Sequence, residues 1–183
     1  MDMKIIAFGA SSSRESINKQ LATYAVSLLE GADVEVLDLN DYELPLFSVD
    51  KEKELGQPQL AKDFLGKIAG ADALVISFAE HNGSYSAAFK NLFDWCSRIE
   101  MKVWQEKPMV LLSASPGKGS AASVLEQAKN SAPHFNGEVV ASLSIPSFGD
   151  NFDEEAGKLT NSDLNEELKQ AMHKLANQRK EAA

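Results

Sequence analysis

Five short apolar runs divide the chain, each followed by a stretch with helical spacing. The first, Lys4–Phe8, sets Ile5, Ile6, Ala7 and Phe8 in succession with no polar alternation, the pattern of a strand buried on both faces. Ile17, Leu21, Ala22, Ala25, Leu28 and Leu29 then recur at helical spacing, with Gly31 as the stop. Val34–Leu39 predicts the second strand and Gln59–Ala69 the second helix. A long loop, Asn40–Pro58, separates them and carries Pro45, Gly56 and Pro58. Ala73–Phe78, Met109–Ser113 and Val139–Ile145 predict three more strands. Ala87–Ser97 and Ala121–Ser131 predict the helices between them, and Ser162–Arg179 a closing helix with a polar face. Glu181–Ala183 is expected to fray. A second long loop, Pro146–Asn161, holds the acidic residues Asp150, Asp153, Glu154 and Glu155, which are read as a solvated run. Strand and helix in strict alternation predict one α/β domain over residues 1–183, with a parallel sheet and right-handed crossovers that place helices on both faces.

Composition narrows the class of function. The chain has 183 residues, 44% of them hydrophobic and 25% charged, which excludes disordered and fibrous classes. The 18 Lys and Arg against 27 Asp and Glu give a net charge of -9. That balance disfavours nucleic acid and anionic membranes as partners, but it leaves room for a local anion pocket. The single cysteine, Cys96, rules out an internal disulfide framework and any multi-cysteine zinc or iron–sulfur site. Its place in a helix reads as a packed thiol. The apolar stretch Ile5–Gly9 is too short for a signal peptide or a membrane span, so a cytoplasmic location is expected. No metal site is expected.

In open parallel sheets, ligands bind beyond the carboxyl ends of the strands. After the first strand comes Gly9-Ala10-Ser11-Ser12-Ser13-Arg14-Glu15-Ser16-Ile17-Asn18. A helix N-terminus presents unpaired N–H groups and positive partial charge. Serine hydroxyls and the Arg14 fork add donors. Ser13 or Ser16 could simply cap the helix, but one such residue suffices for a cap, and the surplus favours a terminal phosphate. After the third strand, Ala79–Ser86 contains the turn signal Asn82-Gly83, where backbone N–H groups can approach a flat ligand. After the fourth, Ser113-Ala114-Ser115-Pro116-Gly117-Lys118-Gly119-Ser120 is small enough to pass along a ligand's edge. Gly117-Lys118 imitates the end of a P-loop, but Gly119 follows where Ser or Thr belongs. Gly117-x-Gly119-x-x-Ala122 imitates a dinucleotide fingerprint, but it sits after the wrong strand. Of His81, His134 and His173, only His81 lies in one of these loops.

These three loops together resemble those of the NADPH-dependent FMN reductase family, whose members include quinone, azo-dye and chromate reductases. The family's phosphate loop has the form G-S-x-R-x-x-S-x-N. Its flavin loop reads P-E-Y-N-G-S-x-P-G-x-L-K-N, followed by D-W-x-S-R, and its third loop is S-x-S-P-G. Glu80, Asn82, Gly83, Ser84, Lys90, Asn91, Asp94, Trp95, Ser97 and Arg98 stand in register with the second motif, and Ser113–Gly117 with the third. Arg14 comes later after Gly9 than the pattern has it. His81 replaces the tyrosine, and Ser86 and Ala87 replace Pro-Gly.

The resemblance implies a flavodoxin-like three-layer sandwich with a five-stranded parallel sheet in the order 2-1-3-4-5. It implies FMN held without a covalent link. Ser11, Ser13, Arg14, Ser16, Ile17 and Asn18 would hold the phosphate. Glu80, His81, Asn82, Gly83 and Ser84 would flank the ring on one side, and Ser113, Ala114, Ser115 and Gly117 on the other. NADPH or NADH would be the co-substrate and would bind over the flavin. No side chain is then required as nucleophile or base, since the cofactor carries the chemistry. The acceptor would be a small molecule: a quinone, azo compound, metal oxyanion or free flavin. The assembly would be a homodimer or homotetramer with Trp95, Arg98 and Trp104 near the interface. A flavodoxin-type electron carrier would share the fold and the FMN but draw electrons from a protein partner; the acidic run at Asp150–Glu155 would suit it. A serine hydrolase is disfavoured because no G-x-S-x-G elbow follows a strand.

Overall fold

A computed structural model describes the backbone of residues 2–181 and the side chains through residue 178. Strand β1 (Lys4–Ala10) leads into helix α1 (Ile17–Ser27), then β2 (Asp33–Leu37). A 3-10 turn at Leu39–Tyr42 and the short helix α2 (Val49–Leu55) precede α3 (Gln59–Ala69) and β3 (Ala73–Phe78). A small hairpin, β4 (Glu80–His81) and β5 (Ser84–Tyr85), opens α4 (Ala87–Ile99). Then follow β6 (Lys107–Ala114), α5 (Ala122–Ser131), a 3-10 turn at Ala132–Phe135 and β7 (Gly137–Ile145). The one-turn helix α6 (Phe148–Asn151), a second hairpin, β8 (Phe152–Asp153) with β9 (Lys158–Leu159), and α7 (Ser162–Glu181) complete the chain.

The five long strands form one parallel sheet in the order β2-β1-β3-β6-β7. Counting only these five, that is the 2-1-3-4-5 arrangement of the flavodoxin-like fold. The apolar runs explain the three layers. Ile6, Phe8, Leu74, Ile76, Met109 and Leu111 face one side, where they pack with Ala61, Phe64 and Ile68 of α3, Phe89, Leu92, Trp95 and Cys96 of α4, and Val124 of α5. Ile5, Ala7, Ala73, Val75, Val110 and Leu112 face the other, with Leu21 and Ala25 of α1 and Leu168, Met172 and Leu175 of α7. Because successive strand residues point to opposite faces, an unbroken apolar run supplies both cores. Among the described residues, no helix is long and apolar enough to cross a membrane.

The differences from expectation lie at ends and in loops. Helix α1 stops at Ser27, and Leu28 and Leu29 form a turn ahead of Gly31 (φ 73°). Leu39 belongs to the 3-10 turn and not to β2. The loop predicted over 40–58 contains α2, which buries no residue and therefore has no apolar stripe to reveal it. Its ends are nevertheless marked: Ser48 accepts a hydrogen bond from the Lys51 N–H, and Gly56 ends it with φ 68°. The loop predicted over 146–161 is folded around buried Phe148, Phe152 and Leu159. Trp95 and Trp104 are buried within the chain's own core. The expected fray lies outside the described residues except for Glu181, the last residue of α7.

Candidate functional site

The order of the sheet reverses at β1, whose neighbours β2 and β3 lie to either side, and in open parallel sheets the ligand crevice lies at such a point, beyond the strand ends. The loops after β1, β3 and β6 meet at this edge. Gly9 makes the first of them possible. A Cβ at that position would lie 2.8 Å from the Cα of Lys19 and 2.9 Å from the carbonyl carbon of Asn18. Only glycine lets the first turn of α1 settle against the end of β1.

Within the first loop, residues divide by burial. Ser11, Ser16 and Asn18 are buried, while Ser12, Ser13, Arg14 and Glu15 are exposed. The Ser11 Oγ accepts from the Ser13 N–H at 3.1 Å, which sets the loop's curl. Ser16 is the N-cap of α1, its Oγ accepting from the Lys19 N–H at 3.2 Å. The N–H groups of Ile17 and Asn18 belong to the same first turn, where no intrahelical acceptor exists. The Ile17 side chain packs against the α1–α7 core. Asn18 turns inward: its Oδ1 accepts from Ser77 Oγ at 2.7 Å and from the Ala114 N–H at 2.9 Å, and its Nδ2 donates to Ala114 O at 3.2 Å. One carboxamide thereby ties the first loop to β3 and β6. Arg14 lines a cleft of about 410 Å³ between α1 and the β8–β9 hairpin, beside Tyr24 and Phe152.

The second loop is the β4–β5 hairpin. Asn82 (φ 53°) and Gly83 (φ 76°) form its turn, and a two-residue hairpin with both φ positive is type I′, which favours Asn-Gly. His81 and Asn82 are exposed at the tip. Glu80 points the other way, and its Oε2 accepts from the Val124 N–H at 2.9 Å. Helix α5 has no side-chain cap of its own, so Glu80 serves as the carboxylate at its N-terminus. The helix end behind Gly117–Ala122 is thus occupied by this chain's own acid, a physical reason why the P-loop and dinucleotide likenesses there are only likenesses. Ser84 Oγ donates to Gln127 Oε1 at 3.0 Å, and the Tyr85 hydroxyl lies 3.1 Å from Ser131 Oγ. Burial holds the Tyr85 hydroxyl above the usual tyrosine range, with the Ser131 hydrogen bond acting against it.

The third loop is braced from below. Ser113 Oγ donates to Ser120 O at 2.9 Å and lies 3.0 Å from Ser144 Oγ. Ser115 Oγ donates to Gly117 O at 2.9 Å. Ser120 and Ala121 both take left-handed conformations (φ 54° and 56°) to turn the chain into α5. Two residues that the sequence reading did not assign complete the site's frame. Ser77 holds Asn18, and Ser86 donates to Ala10 O at 2.7 Å while capping α4 through the Phe89 N–H. A serine ahead of the helical run Ala87–Ser97 was the available signal for the Ser86 cap.

The long segment after β2 walls the crevice. Asn91 donates to Leu44 O and Pro45 O at 3.0 and 3.1 Å and accepts from the Phe47 N–H at 2.8 Å; Trp95 Nε1 donates to Pro45 O at 2.7 Å. Pinned this way, the segment forms a groove of about 410 Å³ with Ser12, Tyr42, Leu44, Leu46 and Ala88. Lys90 and Asp94 pair on the outer face of α4 at 2.7 Å, and Arg98 pairs with Glu52 of α2 at 2.9 Å. Cys96 is fully buried, and burial pushes its thiol pKa up to about 12.

Known proteins are similar to this chain in fold or in sequence. FerB, a flavoenzyme NAD(P)H:(acceptor) oxidoreductase from Paracoccus denitrificans, superposes with a TM-score of 0.76 at 22% identity over 98% of each chain, a likeness of fold. A 2-hydroxy-1,4-benzoquinone reductase from a Burkholderia species is 36% identical over 118 residues, 64% of this chain and 63% of its own length. An NADPH:quinone oxidoreductase from Arabidopsis thaliana is 31% identical over 125 residues, 66% of this chain and 62% of its own length. The chain thus spans less than two thirds of the length of these relatives. A family profile covers residues 3–150, from the start of β1 past the end of β7, and by that match the chain belongs to the NADPH-dependent FMN reductase family.

Proposed function

We propose that this chain is an FMN-dependent NAD(P)H oxidoreductase acting on a small-molecule acceptor, with residues 1–183 acting as a single functional domain. The observation that carries the proposal is the meeting of three donor-bearing loops at the switch point of the sheet, stitched together by Asn18 and Ser86. The donor set fits a phosphate monoester. The first turn of α1 supplies N–H groups of Ile17 and Asn18, and Ser11, Ser13 and Ser16 supply hydroxyls. Arg14 adds charge at the rim. His81–Ser84 and Ser113–Gly117 would line the edges of the ring. Asn18 contributes its backbone, because its carboxamide is engaged with Ser77 and Ala114.

Bound FMN supplies hydride acceptance and donation; the protein's side chains supply position, solvent exclusion and polarity. Glu80 keeps the hairpin seated on α5 and stays out of the chemistry. The wall at Leu44–Phe47 limits what can approach beside Ser12. Quinones lead the acceptor classes because the similar proteins from Burkholderia and Arabidopsis are named as quinone reductases. Azo compounds, metal oxyanions and free flavin follow. A cytoplasmic homodimer or homotetramer is the setting we infer.

The test is a spectrum of the purified protein with one equivalent of FMN, followed by anaerobic stopped-flow mixing with NADPH and, separately, NADH. The expected result is bleaching of the flavin band faster than that of free FMN, and reoxidation on adding a benzoquinone. Tight FMN binding without such bleaching would leave an electron carrier; no FMN binding would remove both.

A further inference from the structure

We propose that the cavity between α4 and α5 is a binding site for an uncharged aromatic molecule of one or two rings, separate from the three-loop site. The cavity measures about 240 Å³. Apolar cavities of about 150 Å³ stay dry and accept benzene, so there is room here for a second ring. Its inner wall is buried Phe78, Phe89, Trp104, Met109 and Leu111. Phe89 and Trp104 present parallel rings 6.5 Å apart, and Phe93 meets Phe135 edge to face at 4.7 Å. Such walls favour a further ring by face and edge contacts, and the Met109 thioether adapts to its outline.

The mouth is set by exposed Lys90 and Gln127. Lys90 is neutralised by Asp94 at 2.7 Å, so the rim offers little to an ion. Ser131 and Gln127, also on the rim, hold Tyr85 and Ser84 of the β4–β5 hairpin. An occupant therefore lies against the base of the hairpin, while His81, Asn82 and Gly83 of its turn are not among the lining residues.

The experiment is calorimetric titration of the protein with 2-naphthol, with and without saturating FMN, beside the charged analogue 2-naphthoate. Expected are saturable one-to-one binding of 2-naphthol, quenching of tryptophan emission, little change with FMN, and at least tenfold weaker binding of 2-naphthoate. Ala128→Leu, which fills the cavity, and Gln127→Trp, which covers its mouth from an exposed position, should each weaken binding at least tenfold. The second variant keeps the test open if the first does not fold. Absence of saturable binding, full competition by FMN, or undiminished binding in a folded Gln127→Trp protein would each overturn the site. Binding that appears only when a dimer is diluted to monomers would also overturn it, showing that a second copy covers the mouth. None of these outcomes depends on the flavin being reduced by NAD(P)H.

Discussion

Asn18 allows a direct separation between holding a ligand and holding the site. Its side chain is 2% exposed and closes three hydrogen bonds, with Ser77 Oγ, the Ala114 N–H and the Ala114 carbonyl. Asn18→Ala leaves two donors and one acceptor without partners at the end of the sheet. Each buried unsatisfied group costs about 1–3 kcal/mol, and the three share one locus, so a total of about 3–5 kcal/mol is expected. With a urea slope of about 2 kcal/mol/M for a chain of this size, the unfolding midpoint should fall by about 2 M.

The assay is urea unfolding of the flavin-free protein at pH 7 by far-UV circular dichroism, alongside a fluorescence titration with FMN. Asn18→Ala with Ser77→Ala should cost less than the sum of the two single changes, since both remove one bond. Asn18→Asp keeps the acceptor oxygen but turns a carboxylate oxygen toward the Ala114 carbonyl. Such a group is held above its unfolded pKa, so the variant should regain stability as the pH falls from 7 toward 4. A midpoint shift below about 0.5 M in Asn18→Ala, combined with a large loss of FMN affinity, would refute the reasoning and make the carboxamide a ligand.

Four further outcomes are expected. Gly9→Ala forces a methyl group into the backbone of Asn18 and Lys19, so it should cost about 1–3 kcal/mol by urea unfolding and weaken FMN binding as α1 is pushed off β1. Ser13→Asp places charge at an exposed loop position without touching the fold; at least tenfold weaker FMN binding with an unchanged midpoint is expected. Cys96 should react with a thiol reagent at pH 8 only at the rate at which the protein unfolds, because the buried thiol keeps its proton. The hydrogen bond from Lys19, 2.5 Å away, and that from the Asn40 N–H hold the Asp38 carboxyl below the usual carboxylate range. Stability from this pair is complete above the unfolded pKa and is lost as the pH falls through the lower folded value. Asp38→Asn should therefore cost at most about 1 kcal/mol at pH 7 and flatten the decline below about pH 4, as compared by urea midpoints at pH 7 and 3.

The sheet was legible because its inner strands β1, β3 and β6 are apolar on both faces, and strand Ala73–Phe78 and helix Gln59–Ala69 match to the residue. Helix α2 was hidden because a surface helix with no buried residue leaves no stripe. The two small hairpins are held by tertiary anchors, Val124 for Glu80 and the Phe148–Phe152 stack for the second, and such anchors are distant or irregular in sequence. The loops of the site were found from their positions after strands and their composition. What composition could not show was direction. Asn18 reads as a donor to a phosphate, yet the fold turns its carboxamide toward a sheet tie, while Ser16 Oγ accepts from the Lys19 N–H and keeps its own O–H to give. Burial and partners decide this, and the partners of Asn18, Ser77 and Ala114, are 59 and 96 positions away.

The pinning of the segment after β2 bears on how this protein could change. Asn91 and Trp95 hydrogen-bond to its main-chain atoms, at Leu44, Pro45 and Phe47, and the Phe47 ring packs edge to face on Trp95. The course of the segment is therefore set by α4, while the side chains it displays, Glu43 and the 81% exposed Leu46 among them, are left unconstrained. Selection, or a combinatorial library, can rewrite that display while the scaffold stays fixed. Altered acceptor preference should arise first at Glu43 and Leu46, with little loss of folding yield, whereas Leu44 packs against the core.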